Sequence, residues 1–438
     1  MNKPNMLGKL NILVLHWLRD PKEARDVLLK LVFFLKKYQP EHNYIYHDVS
    51  LPIPDYIKDI KFDAVILDVT LLCLRYPYHK KHFAKFITNF NFVKDLDAVK
   101  IAFPQDDYDC CEILDRWLVD WKVDYVFSPL ADNPEVNVIY KNYSKIGKIK
   151  LGFTGYIDDD FFSLKNRIKP FELRVVDICY RARKLPPYFG WIGELKWRIA
   201  DIVRDKAKKF NLKLDISYKD RDTILGEKWY DFLGSSKFTL GSLSGSSLID
   251  PVGEIQEKVK KYCAENPNYS YEDVEKLFFL GQDKYNFTAI SPRNIEAAFT
   301  LTGQILVEGP YSGILRPWEH YIPLKKDGSN FKEVYEAMID IEFTKKMIKN
   351  CYERIIECKD LYYSTLAENI INLVQEKRKT EGRKIDKVEK LIIRYENEMK
   401  RKYNLFFNQK RIVKKIEKLL YNYPCIYKFA KNLYNKLF

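Results

Sequence analysis

The sequence predicts an α/β protein in which two Rossmann-like domains face one another across a cleft and a helical C-terminal extension follows. Three observations predict it. Short apolar runs alternate with amphipathic segments over the first 150 residues, the same alternation restarts near residue 165, and from about 341 the apolar residues recur at helical spacing. The expected boundaries are 1–155, 165–340 and 341–438.

In the first domain, strands are expected at 12–15, 44–47, 64–67, 101–103 and 125–127, and helices at 21–38, 82–90 and 109–121. The strand runs are short and apolar without alternation, the pattern of parallel strands covered on both faces. Segment 148–160, KIKLGFTGYIDDD, joins two glycines to an acidic turn and is expected to be the crossing between domains. In the second domain, strands are expected at 173–180, 212–217, 238–240 and 305–308. Helices are expected there at 194–210, 227–233, 292–302 and 330–339, with a mostly helical insertion at 251–280. Two such units leave a cleft at the carboxyl ends of their strands, where ligands of these folds bind.

With 438 residues, 46% of them hydrophobic, the chain can bury a large core, which excludes a disordered or fibrous protein. The eight cysteines form no CxxC pair and no zinc spacing, so reduced thiols are expected. The apolar run at 12–15 is too short for a signal peptide, and no run reaches the roughly 18 apolar residues of a membrane span. A cytoplasmic protein, peripheral on the inner face of the cell membrane, is the expectation. The net charge is +14, and residues 371–438 alone carry 19 Lys or Arg against 7 Asp or Glu. Charge confined to a tail argues against nucleic-acid binding, which spreads basic residues over a folded face, and for attraction to an anionic membrane. Lys410, Arg411, Lys414, Lys415 and Lys418 interleave with Ile412, Val413, Ile416, Leu419 and Leu420, and the pattern resumes after Pro424. Packing of these helices on the protein's own domains is the alternative.

Walker A, GxGxxG, HExxH and GxSxG motifs are all absent, so chemistry must be sought in the loops after the strands. Arg181 and Arg183 leave a strand just before Gly190 and Gly193 open a helix; cations beside a helix N-terminus suit a diphosphate, although an ordinary solvated basic turn has the same letters. Ser244 and Gly245 belong to the small-residue loop 241–247, which admits close approach of a ligand or is simply flexible. In the first domain, Asp106 and Asp107 follow the strand at 101–103 and His16 follows the first strand. These are the candidates for a general base, if they are not merely turn residues. Asp158, Asp159 and Asp160 match DxD by letters, but are expected to form a solvated turn; no metal is expected.

The most specific segment is Ser291-Pro292-Arg293-Asn294-Ile295-Glu296-Ala297, followed by Gly303, by Tyr311-Ser312-Gly313, by His320-Tyr321-Ile322-Pro323-Leu324 and by Asp327-Gly328-Ser329-Asn330. Here the sequence resembles bacterial polysaccharide and O-antigen glycosyltransferases of the GT-B fold, over about 173–338 and more weakly at 104–108. The resemblance implies a nucleotide-sugar donor bound to the second domain, Arg293 facing its phosphates, Glu296 accepting from its ribose hydroxyls, and a glycan or lipid-linked acceptor. It implies no essential metal or cofactor, since cations and helix N-termini stabilise the phosphates. One position departs from the pattern of retaining members, which often carry a second glutamate seven residues before the first: here it is Ala289. Retention or inversion stays open. Competing readings are a non-enzymatic surface-binding protein and another sugar-nucleotide enzyme on the same scaffold.

Overall fold

The computed structural model describes residues 8–21, 24–378 and 386–420. Its first sheet holds β1 (Asn11–His16), β2 (Asn43–Asp48), β3 (Ala64–Leu67), β4 (Val99–Ala102), β5 (Tyr125–Ser128) and β6 (Lys148–Leu151), all parallel in the order β2-β1-β3-β4-β5-β6. Period-two alternation sends successive residues of β1 to opposite faces. Ile12 and Val14 pack with Phe34 of helix Asp26–Tyr38, while Leu13 and Leu15 join Phe86 of helix Lys80–Phe90 and Trp117 of helix Cys111–Asp120. Burial on both sides explains the unbroken apolar runs.

The second sheet holds β7 (Val176–Arg181), β8 (Leu214–Ser217), β9 (Ser236–Gly241), β12 (Gly303–Val307) and β13 (Ile322–Leu324), parallel in the order β13-β12-β9-β7-β8. Helices Gly190–Ala207 and Phe331–Ile339 cover one face through Ile199, Val203 and Val334. Between β9 and β12 lie a short antiparallel pair, β10 (Ser244–Ser246) with β11 (Phe287–Ala289), and two insertion helices, Glu254–Glu265 and Tyr271–Phe278. Two Rossmann-like α/β domains therefore face one another, as the alternation predicts, with helices following.

The crossing starts later than expected. Residues 148–151 form the edge strand β6, paired from Tyr125↔Lys148 to Ser128↔Leu151, and their charged, half-exposed pattern hid them from an apolar search. The chain leaves the sheet at Gly152, where a Cβ would lie 2.9 Å from the backbone of Phe127. Asp158 is not part of a solvated turn: it is 2% exposed and bonded to Lys37, to the Tyr38 hydroxyl at 2.8 Å and to Lys30 at 3.1 Å. Burial opposes its charge, but those donors prevail and hold its pKa at about 2. The crossing is thereby pinned to helix Asp26–Tyr38.

The C-terminal helices are built into the body. Helices Ile341–Glu357 and Tyr363–Lys377 place Cys351, Ile355, Tyr363, Leu366 and Ile370 in one apolar cluster with Ile12, Phe34, Ile295 and Tyr311, so a single core spans both domains. Arg378 then pairs with the buried Asp63 at 3.0 Å. Helix Asp386–Leu420 lies along the edge strand β2, with the Tyr395 hydroxyl donating to the Tyr46 carbonyl at 3.0 Å and meeting His47 Nδ1 at 2.8 Å. It covers the edge that would otherwise be open to strand pairing. Side chains at 409–420 and the residues 421–438 lie outside what is described, and with them most of the expected amphipathic face. No described helix is long and apolar enough to cross a membrane.

Candidate functional site

The site forms on helix Pro292–Phe299, whose first turn is fixed by a capping box: Ser291 Oγ accepts from the Arg293 N–H and Asn294 Oδ1 accepts from the Ser291 N–H. Residues three apart share a helix face. Arg293 and Glu296 therefore project together, one turn apart. Arg293 lines a narrow crevice with Lys196, Ser242, Ser244 and Ser291, at the carboxyl ends of β7 and β9. Its Nη1 donates to the Arg181 carbonyl at 2.6 Å and its guanidinium sits 5.6 Å from the Trp229 ring centre. Glu296 accepts from Trp229 Nε1 at 2.7 Å and opens into a neighbouring cavity of about 420 Å³ between the domains. Lys30, Tyr156, Phe161 and Tyr230 also line that cavity. Burial raises the Glu296 pKa, partly offset by Trp229 and Arg293.

Lys196 was invisible in the sequence, a lone lysine inside a helix. In the structure it is half-buried next to Arg293 and makes no ion pair among the described residues. Burial and the Arg293 charge lower its pKa to about 8, and Asp106 from the opposite domain acts in the raising direction. Two cations without an ion pair among the described residues, beside three serine hydroxyls, can receive an anion. Asp106 is exposed at a left-handed φ of 49°, its carboxylate accepting from the Tyr108 hydroxyl at 2.7 Å. Its turn is held from below by the buried Arg75, which donates to the carbonyls of Gln105, Asp106 and Asp109.

Several expected residues stand elsewhere. Arg181 is not available to a ligand, because its guanidinium donates to the carbonyls of Asp222, Tyr180 and Asp215 and to the Asp215 carboxylate at 2.7 Å. Arg183 points into solvent with Asp220 at 3.7 Å. The N-terminus of helix Gly190–Ala207 already holds an anion from its own chain: Asp283 accepts from the Trp191 N–H at 2.9 Å, and Ser247 from the Ile192 N–H. Gly245 is a packing position, since a Cβ would meet the Phe287 carbonyl at 1.8 Å. Tyr311 is buried and its hydroxyl donates to the Val307 carbonyl, while Ser312 Oγ accepts from the Ile290 N–H. Together with Gly313 they make a left-handed turn, φ 41°, 54° and 67°, that braces β11 against β12. Ala289 lies within β11 opposite Ser244, so no carboxylate occupies that position.

Asp107 and His16 are not open to an acceptor. Asp107 is fully buried and accepts from Ser128 Oγ and from the Tyr140 hydroxyl; burial raises its pKa. His16 is 4% exposed, held neutral by burial with a pKa of about 3, and borders a separate cavity against helix Asp386–Leu420.

No family model and no curated protein matches the chain. Solved structures do. HepE of Anabaena, in complex with UDP and glucose, has 8% identity and a TM-score of 0.48, covering 84% of this chain and 100% of its own. An alpha-glucosyltransferase in complex with UDP and a 13-mer DNA has 11% identity and a TM-score of 0.46, covering 84% and 99%. The GtfA/B complex has 11% and 0.41, covering 73% and 59%. At these values the likeness assigns no residue of this chain a role.

Proposed function

We propose that the protein is a glycosyltransferase that takes a sugar from a nucleoside-diphosphate sugar. The observation that carries this is the division of labour along one helix: Arg293 serves an anion crevice shared with Lys196, and Glu296, one turn on, serves an aromatic-lined cavity of about 420 Å³. A nucleoside diphosphate has this sequence of parts. Its ribose hydroxyls donate to a carboxylate and its phosphates accept from cations. The crevice is too narrow to swallow a diphosphate, which lies across its mouth with the sugar toward Asp106. Asp106 takes the acceptor hydroxyl proton, the oxygen bonds to the anomeric carbon, and the bond to the diphosphate oxygen breaks. The nucleoside diphosphate leaves with its charge met by Lys196 and Arg293. A displacement of this kind inverts the anomeric centre, and Ala289 offers no second carboxylate for a retaining route.

The acceptor in this reading is a glycan, free or lipid-linked, and the basic tail holds the enzyme to an anionic membrane on its inner face. Helix Asp386–Leu420 passes Arg19 at Tyr403 and continues for about 25 Å of further helix. Truncation after Arg401, with sedimentation on anionic vesicles, tests the tail; equal binding by both forms removes it from the reading.

Titration of UDP, UMP and other nucleoside diphosphates, read by thermal unfolding and calorimetry, tests the enzyme. UDP is a first probe because the similar structures carry it. A diphosphate is expected to bind more tightly than its monophosphate, and indifference to every nucleotide overturns the proposal.

A further inference from the structure

On the first domain's side of the cleft, five cationic or aromatic groups meet a sixth from the insertion. Arg19 lies 3.9 Å over the ring of Trp17, Trp17 meets His79 at 4.5 Å and His82 at 5.7 Å, and His79 meets Tyr78 at 4.2 Å. Lys260, from helix Glu254–Glu265, lies 4.3 Å over Tyr78 and 5.4 Å over Tyr188.

The insertion is fastened in that place. The Cys110 N–H donates to the Asp250 carbonyl at 2.7 Å, the Asp250 N–H to the Tyr108 carbonyl at 3.2 Å, and the Glu112 N–H to the Pro251 carbonyl at 3.0 Å. The Asp250 carboxylate accepts from the N–H groups of Gly253 and Gln256, opening the helix. At Gly253, φ 88°, a Cβ would meet Pro77 at 2.1 Å. The helix thus abuts the Pro77–His79 turn, and Lys260 reaches Tyr78.

These charges are placed by rings, not by carboxylates. Arg19 and Lys260 are exposed, and among the described residues neither makes an ion pair. Of the acids near these two cations, Asp48 accepts from the backbone N–H groups of Arg19 and Ser50 and Asp109 is 5% exposed, while Glu257, exposed one turn before Lys260, acts on it without forming an ion pair. A cation over an aromatic face is held without being neutralised. At His79 the charges of Arg19, His82 and Lys260 add to burial, which is the larger cause, and its pKa falls to about 4. Asp106 lies close to this face, near enough to act on both Tyr78 and Tyr188, and it acts on Lys196 from the other side.

We propose that this face is the acceptor subsite and that it takes a sugar bearing a negative charge, a phosphate or a carboxylate, held by Arg19 and Lys260 while a hydroxyl is presented to Asp106. This rests on the glycosyltransferase reading. A neutral sugar would leave these two ring-held cations without an ion-pair partner among the described residues, whereas an anionic group supplies one.

The test uses the full chain saturated with UDP, titrated with glucose 6-phosphate, glucuronate, glucose and inorganic phosphate and followed by ligand-observed NMR. The two charged sugars are expected to bind at least tenfold more tightly than glucose and more tightly than inorganic phosphate, and the tighter of the two names the group. The double variant Arg19→Gln/Lys260→Gln, both positions exposed, is expected to lose that preference while keeping UDP affinity and thermal stability. Equal binding of the three sugars, no binding of the charged ones, inorganic phosphate matching glucose 6-phosphate, or a double variant with unchanged preference each overturns the subsite. Failure of UDP to bind is a different result, which removes the donor reading and this one with it.

Discussion

The two parallel sheets end on the same cleft, but their edges are built in opposite ways. At the first, most ionisable groups beside the strand ends turn inward: His16, Asp48, Asp68 and Asp107 are all at most 4% exposed and bonded within the fold, while Asp106 and Arg19 face out. At the second, Arg181 is spent on backbone carbonyls and the Asp215 carboxylate, while Lys196 and Arg293 stand together without a carboxylate in ion-pair contact among the described residues. The difference teaches where function can lie. A satisfied buried group stabilises a frame, and a charged group left unsatisfied is available to a ligand.

The sharpest way to break this comparison is at Asp106 and Asp107, adjacent carboxylates with opposite environments. Asp106→Asn is expected to lower kcat about 10²- to 10⁴-fold with UDP affinity and stability unchanged. Asp107→Asn should instead cost about 1–3 kcal/mol of stability, because it disturbs the bonds from Ser128 and Tyr140. Denaturant unfolding alongside single-turnover kinetics separates the two, and a reversal of these roles would undo the assignment of the base.

The next contrast is among cations. Arg293→Ala and Lys196→Ala should each weaken UDP binding about tenfold or more, the loss expected for a charged contact of about 1.5–3 kcal/mol. Arg181→Ala should act on the melting temperature, since its partners are all internal. Calorimetric affinities for the three variants decide whether the second edge is read correctly.

Lys196 also gives the comparison a pH signature. Its free pKa of about 8 means that above pH 8 the protein must take up a proton to present a charged lysine to the diphosphate. UDP affinity should fall by up to about tenfold per pH unit above 8, and Lys196→Arg, which stays charged, should flatten the profile. An unchanged slope in that variant assigns the effect elsewhere. The smallest effect is expected at Arg183, exposed beside Asp220: Arg183→Ala should change UDP affinity and stability by less than about 0.5 kcal/mol. A tenfold loss there would return the basic turn to the donor site.

The sequence by itself determined the two α/β domains, because strands buried on both faces must be unbroken apolar runs, and those runs survive in β1 to β5 and in β7, β9 and β12. It brought forward Arg293 and Glu296 through the family resemblance and Asp106 through its place after a strand; the structure sets the first two on one face of a capped helix and leaves Asp106 exposed on a left-handed turn. It missed β6, whose edge position allows a charged pattern, and it missed Lys196 and Lys260, which are ordinary helix lysines until the fold brings them to the cleft. It gave Arg181, Asp107 and His16 the same standing as the others, since a residue's letter says what it can bond but not whether its bonds are already made. That was decided by tertiary structure alone. Burial and the internal partners that burial brings set which charges are neutralised inside the protein and which are left to face the cleft.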